Sequence, residues 1–151
     1  MSHLDIGEIS IRLALAVLFG GLIGWEREVK NKPAGLKTHI LVSLGSCSFA
    51  LITLSFFETL DPKANADPIR TIDGIIGGIG FLGAGAILQS RGSVKGITTA
   101  ATIWMAGALG LAAGTGFYIV GGLSMAITLV ILLGVGFLEK KSLSSSEVEG
   151  E

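Results

Sequence analysis

Apolar residues run through this chain in long blocks separated by short polar stretches. Five blocks stand out: Ile6–Trp25 (20 residues), Thr38–Phe57 (20), Ile72–Leu88 (17), Gly96–Ala113 (18) and Phe117–Leu138 (22). Crossing the hydrocarbon core of a bilayer takes roughly 17–25 residues of helix. The pattern therefore predicts an all-α fold, a bundle of five transmembrane helices. The third block only just reaches the required length. It is expected to be kinked, broken or shielded by its neighbours, because irregular backbone is tolerated only away from lipid. Gly114-Thr115-Gly116 leaves so little chain between the fourth and fifth blocks that they must form an antiparallel hairpin.

Glycine placement sharpens the picture. The stretch Asp73–Leu88, DGIIGGIGFLGAGAIL, holds Gly74, Gly77, Gly78, Gly80, Gly83 and Gly85 and no charge after Asp73. In a soluble helix each Gly costs about 1 kcal/mol relative to Ala, but between membrane helices small residues let backbones approach. Gly74 with Gly78 is a GxxxG pair and Gly80 with Ala84 a small-xxx-small pair, so this block is expected to be the central packing helix. Gly20 with Gly24, and Gly110 with Gly114, add further pairs. Such surfaces predict association with other membrane proteins or with a second copy, a dimer first. The letters Gly78 to Gly83 also spell GxGxxG, the dinucleotide fingerprint. That motif needs a strand before it and an acid about 20 residues on; residues 98–114 contain no acid, and the nucleotide reading is set aside.

Composition agrees with a lipid-bilayer protein: half of the residues are hydrophobic and 15% charged, against about 25% charged in soluble domains, with mean hydropathy +0.71. A net charge of −1 points to no nucleic acid. The single cysteine, Cys47, lies in an apolar block and reads as a small buried side chain. MSHLDIGE lacks the basic start of a cleaved signal peptide, so the first block is expected to stay. Arg27, Lys30, Lys32, Lys37, Arg91, Lys95, Lys140 and Lys141 fall on one side of the bundle, and Lys63, Arg70 and Arg12 on the other. Basic loops favour the cytoplasm, which puts the N-terminus outside and the C-terminus inside. Residues 1–141 read as one transmembrane domain and 142–151 as a disordered acidic tail.

The densest polar stretch is WEREVKNKPAGLKTH, residues 25–39. Its plain reading is a solvated loop whose cations set topology. Its functional reading is a mouth, with Glu26, Arg27 and Glu28 ending one helix, Lys37, Thr38 and His39 beginning the next, Lys32 between them and Pro33-Ala34-Gly35 fixing the turn. His39 is capable of titrating near neutral pH, although a polar residue at the interface is the commoner role. Asp67, Arg70 and Asp73 lead into the third block, with Asp67 as helix cap and Asp73 one residue inside the apolar run. Thr98, Thr99 and Thr102 open the fourth block, where hydroxyls bond their own helix or a neighbour. Glu26, Glu28 and Asp73 are the candidate ligands for a hard cation such as Mg2+, which takes oxygen ligands and keeps waters. A zinc site has no histidine pair to stand on, and no nucleophile–base set or phosphate loop is present, so no enzyme is expected.

GLIGWERE at 21–28, KPAGLKTHILVSLGS at 32–46, DPIR at 67–70, GIGFLGAGAI at 78–87 and VKGITTAATIWMAGALGLAAGTGFY at 94–118 together resemble the MgtC/SapB family. The resemblance implies a five-span helical bundle of the bacterial inner membrane with its N-terminus outside. It further implies a link to magnesium homeostasis, to growth under magnesium limitation and, in pathogens, to survival in macrophages, with the rotary ATP synthase as a partner of the founding member. Longer members carry a soluble C-terminal domain, in whose place this chain shows only the acidic tail. Two functions follow as expectations: a regulator that binds other membrane proteins, or a cation transporter using acids near the helix ends.

Overall fold

A computed structural model describes residues 5–59, 67, 69–90 and 93–135. Lys63, Arg91, Lys140, Lys141 and the acidic tail lie outside these residues. The elements are α1 (Ile6–Val29), α2 (Leu36–Thr59), α3 (Ile69–Gly85), β1 (Leu88–Ser90), β2 (Ser93–Lys95), α4 (Ile97–Thr115) and α5 (Tyr118–Val130), the last running into a π-helical turn at Ile131–Val135. The all-α reading holds, with five helices among the described residues. Three of them, α1, α2 and α4, are long and apolar enough to cross a membrane, whereas α3 has 17 residues.

Local chemistry sets the ends. At the end of α1, Asn31 takes φ 51° while the Lys32 N–H reaches the Arg27 carbonyl at 3.0 Å; this left-handed stop closes a helix by satisfying its last carbonyls. Glu28 Oε2 then accepts from the Leu36 N–H at 2.9 Å and caps α2. The third helix begins three residues earlier than the apolar pattern predicts, because Asp67 Oδ1 accepts from the Ile69 N–H at 2.9 Å. It also stops at Gly85 instead of Leu88. Residues 88–90 pair with 93–95 in an antiparallel hairpin, and Gly96, at φ 91°, lies so close to the Ala86 carbonyl that no Cβ would fit. Gly116, at φ 83°, makes the tight α4–α5 hairpin that the sequence predicts.

The core corrects the expected layout: α4, not α3, is central. Half of α4 is buried, against 28% of α1 and of α2. Ala16, Phe19 and Ile23 of α1, Cys47 and Leu51 of α2, and Leu109 and Ala113 of α4 form the main core, with Met125 of α5 added. Burying such side chains stabilises by about 1.5–3 kcal/mol each in water, but lipid is as apolar as the core, so close packing carries the contact. Glycines make that packing possible at four places. A Cβ on Gly20 would meet the His39 carbonyl at 2.5 Å, one on Gly24 the Leu36 Cα at 2.7 Å, and one on Gly114 the Cys47 carbonyl at 2.7 Å; one on Gly110 would collide with the Ser43 carbonyl. By contrast, Gly74, Gly77, Gly78, Gly80 and Gly85 of α3 face open space, and only Gly83 touches a neighbour, Ala100. Along α3 only Ile75, Ile79 and Gly83 are buried, a single i, i+4, i+8 line against α4.

Candidate functional site

The candidate site is the end of the bundle where α1 finishes and α2 and α4 begin. Glu26 and Arg27 belong to α1 and turn inward, 7% and 4% exposed, while Trp25 and Glu28 on either side are exposed. Arg27 Nη2 donates to Thr99 Oγ1 on α4 at 3.5 Å, and Arg27 Nη1 lies 3.5 Å from Glu26 Oε2. Lys30 Nζ lies 2.7 Å from Glu26 Oε1 and donates to the Leu132 carbonyl in the π-helical turn at 3.0 Å. Glu26 Oε1 and Oε2 and Arg27 Nε are buried without a hydrogen bond. The carboxylate is thus held by two cations alone, and removing the buried one, Arg27, is costly.

His39 completes the cluster from the first turn of α2 and is fully enclosed. Its Nδ1–H donates to the Gly35 carbonyl at 2.8 Å, and its Nε2 lies 3.0 Å from Thr102 Oγ1. The Thr102 hydroxyl is in turn 2.9 Å from the Thr99 carbonyl, to which it donates. One turn further along α2, Ser43 Oγ donates to the Ala16 carbonyl at 2.8 Å. Polar contacts therefore join α1 to α4 and α2 to α4 at this end of the bundle, and α1 to α2 deeper within it.

A second charged centre lies at the opposite end. Arg12, 8% exposed, donates from Nη1 to the Gly114 carbonyl at 2.6 Å and from Nη2 to Glu8. A cation at the C-terminus of α4 is favoured by the helix dipole. Arg12 and Arg27 are separated by about 22 Å along α1, at ~1.5 Å per residue.

Of the residues singled out in the sequence, the structure brings together Glu26, Arg27, His39 and Thr99. Lys32, Lys37, Thr38 and Thr98 are exposed at the same end. The proposed cation trio is not brought together. Glu28 is occupied as the cap of α2, and Asp73 is exposed on α3 at the far end, where Ile72 and Ile75 share a groove with Thr115 and Phe117. No group of three or more metal-ligating side chains occurs among the described residues. Two further expectations are corrected. Arg27 is no solvated loop charge, because α1 continues to Val29 and carries it inside; the His39 ring is no exposed polar group, because it is enclosed between the start of α2 and Thr102 of α4. Asp67 caps α3 as expected, and Arg70 contacts it only through its backbone N–H at 3.3 Å.

Arg12, Ser43 and the bridging role of Thr102 escape sequence reasoning. A signal was there: His39, Ser43 and Cys47 recur every four residues, as do Ala16, Gly20 and Gly24, and Gly110 and Gly114. Small and polar residues at that spacing mark one face of each helix, and these are the faces that meet.

Comparison with known proteins matches these same elements. The chain is 42% identical over 134 residues to protein SapB of Bacillus subtilis, covering 87% of this chain and 56% of SapB. It is 39% identical over 127 residues to YhiD of Escherichia coli, whose name marks it as a proposed magnesium transporter, covering 83% and 59%. It is 42% identical over 104 residues to protein MgtC of Brucella abortus, covering 69% and 41%. The chain thus spans about half the length of these relatives. No solved structure matches it. The family model described as the MgtC family matches residues 13–141, from α1 beyond the end of α5, and on that match the chain belongs to the MgtC family.

Proposed function

We infer that this is a multi-pass protein of the bacterial inner membrane, tied to magnesium homeostasis, that acts as a regulator by binding other membrane proteins or a second copy of itself. It carries out no covalent chemistry in this reading. The observation that carries it is the distribution of charge. Among the described residues the buried charges sit at the two ends of α1: Arg12 and Arg27 each tie α1 to α4, and Glu26 is paired within α1 to Arg27 and Lys30. Between them lies a seam of Ala16, Ile23, Cys47, Leu109 and Ala113. A divalent cation that keeps its waters and takes oxygen ligands is poorly served by such a path. Basic residues around the Glu26–His39 cluster support a cytoplasmic position for that end.

The binding surface in this reading is α3. Its open glycines border a groove of about 640 Å³ lined by Leu41, Gly45, Phe49, Gly74, Gly78 and Leu82. The rotary ATP synthase, implied by the family resemblance, is one candidate partner, and a homodimer another. The second reading, a magnesium or other cation transporter, is favoured by one observation, a buried Glu26 carboxylate that is held by ion pairs and accepts no hydrogen bond, together with the name given to YhiD.

Magnesium uptake by proteoliposomes separates the two. The regulatory reading expects folded protein to give no more uptake than empty vesicles. Protein-dependent uptake that is lost in Glu26→Gln, with Asp73→Asn unchanged, makes the protein a transporter with its acid at the α1 end.

A further inference from the structure

His39 is the largest polar side chain fully enclosed among the described residues, and a neutral ring cannot make hydrogen bonds of all the polar contacts around it. The Gly35 carbonyl is an acceptor only, so Nδ1 carries a proton in either charge state. If the ring is neutral, Nε2 is an acceptor and the Thr102 hydroxyl must donate to it. A hydroxyl has one proton, so Thr102 then cannot also donate to the Thr99 carbonyl 2.9 Å away. If the ring is protonated, Nε2–H donates to Thr102 Oγ1, and the hydroxyl proton is free for Thr99. All three contacts are satisfied together only by the imidazolium.

We propose that His39 is a buried proton-binding site, and that its occupancy turns the Thr102 hydroxyl between the histidine ring and the Thr99 carbonyl. The proton comes from the adjoining aqueous phase and adds to the Nε2 lone pair; nothing else is transferred. The consequence is an interhelical one. With the proton bound, the ring donates both to the Gly35 carbonyl and to Thr102 Oγ1, and Thr102 donates onward to the Thr99 carbonyl. With it released, Thr102 donates to the ring instead and the Thr99 carbonyl keeps only its own helix. Thr99 is also the residue whose side chain receives Arg27, so the hydroxyl stands one residue from the α1–α4 contact.

The charged groups nearest the ring are Arg27 and Glu26, both from α1. The α4 helix presents hydroxyls only and contains no charged residue. On its own helix the nearest charge is Lys37, which is exposed. The ring therefore sits between one unlike and one like charge inside a packed interface, and the hydroxyl is the group free to answer its protonation.

The test is nitrogen NMR of the full chain in lipid nanodiscs with 15N-labelled histidine. Only His3 and His39 give ring signals, and His39→Gln assigns them. The proposal expects a neutral Nδ1–H tautomer at high pH that converts to imidazolium as pH falls. In Thr102→Val the charged ring loses a stronger hydrogen bond than the neutral one does. Proton binding should weaken about tenfold, a fall of roughly one pH unit in the midpoint, with Thr102→Ser restoring it. A neutral Nε2–H tautomer, no His39 titration between about pH 4 and 9, or an unchanged midpoint in folded Thr102→Val overturns the proposal. Should Thr102→Val fail to fold, the tautomer and titration of the wild-type ring decide the question.

Discussion

Two sets of glycines make opposite use of the same residue. Gly20, Gly24, Gly110 and Gly114 sit where one helix backbone lies on another, and a Cβ at any of them would come within 2.7 Å of a backbone atom or closer. Gly74, Gly77, Gly78, Gly80 and Gly85 of α3 meet nothing within 4 Å. The first set is the seam of the α1–α2–α4 core. The second is a bare helix face that the protomer does not use. A GxxxG spacing says that two backbones are able to approach; whether they do depends on which face the neighbouring helix presents.

The largest effect that would break this contrast is at Gly110. Gly110→Val would drive a branched side chain into the Ser43 carbonyl and Cα, where no flexible group yields. Overpacking a well-packed site costs about 1–3 kcal/mol and more where backbone must move. Thermal unfolding in detergent should show a loss above that range, or no folded protein. At Gly107 the facing atom is the tip of Ile79, which is able to turn away, so Gly107→Ala should be far milder. Equal melting temperatures for wild type and Gly110→Val would remove the seam from the account.

This contrast also marks how far the sequence could be read. The apolar runs of α1, α2 and α4 are long, the first interrupted near its start by Glu8 and Arg12, and their helices follow from length. A count of its six glycines misplaces α3, because faces decide: Ile75, Ile79 and Gly83 make the buried line, and the remaining glycines fall off it. The candidate site was half legible. Glu26, Arg27 and His39 stood out as a polar cluster at a helix end. Their burial did not, because it depends on Gly20 and Gly24 bringing α2 against α1, a contact between residues distant in sequence. Thr102 and Arg12 read as ordinary helix polars, since their partners, the His39 ring and the Gly114 carbonyl, are contributed by other helices.

At the charged end of the seam, Arg27→Ala removes one of two cations from a buried carboxylate and the donor to Thr99. Breaking a buried pair costs roughly 3–5 kcal/mol; because Lys30 remains beside Glu26, the expected loss is at the lower end. Glu26→Gln combined with Arg27→Ala should recover part of it, since no uncompensated carboxylate is left. A double variant no more stable than Arg27→Ala would mean that the pair is not what matters. Lys30→Ala should cost less, about 1 kcal/mol or below, because the lysine side chain is 38% exposed. Its effect should show locally, as faster amide exchange around Leu132, whose carbonyl it holds.

The smallest effect has the opposite sign. Gly77 is in the middle of α3, exposed, with open space where its Cβ would be. In an unpartnered helix, Gly→Ala stabilises by about 0.5–1 kcal/mol, chiefly by restricting the unfolded chain. Gly77→Ala should therefore raise the melting temperature of the detergent-solubilised monomer slightly, whereas Gly110→Ala lowers it. The same substitution sharpens the interaction reading. If the bare face of α3 meets another helix at close backbone distance, Gly77→Ala keeps its monomer stability and loses association, seen as weaker cross-linking in membranes. Gly78→Leu, which also meets nothing in the protomer, should do so more strongly. A stable monomer with unchanged association in both variants would leave α3 facing lipid alone, and would move the search for a binding surface to another helix.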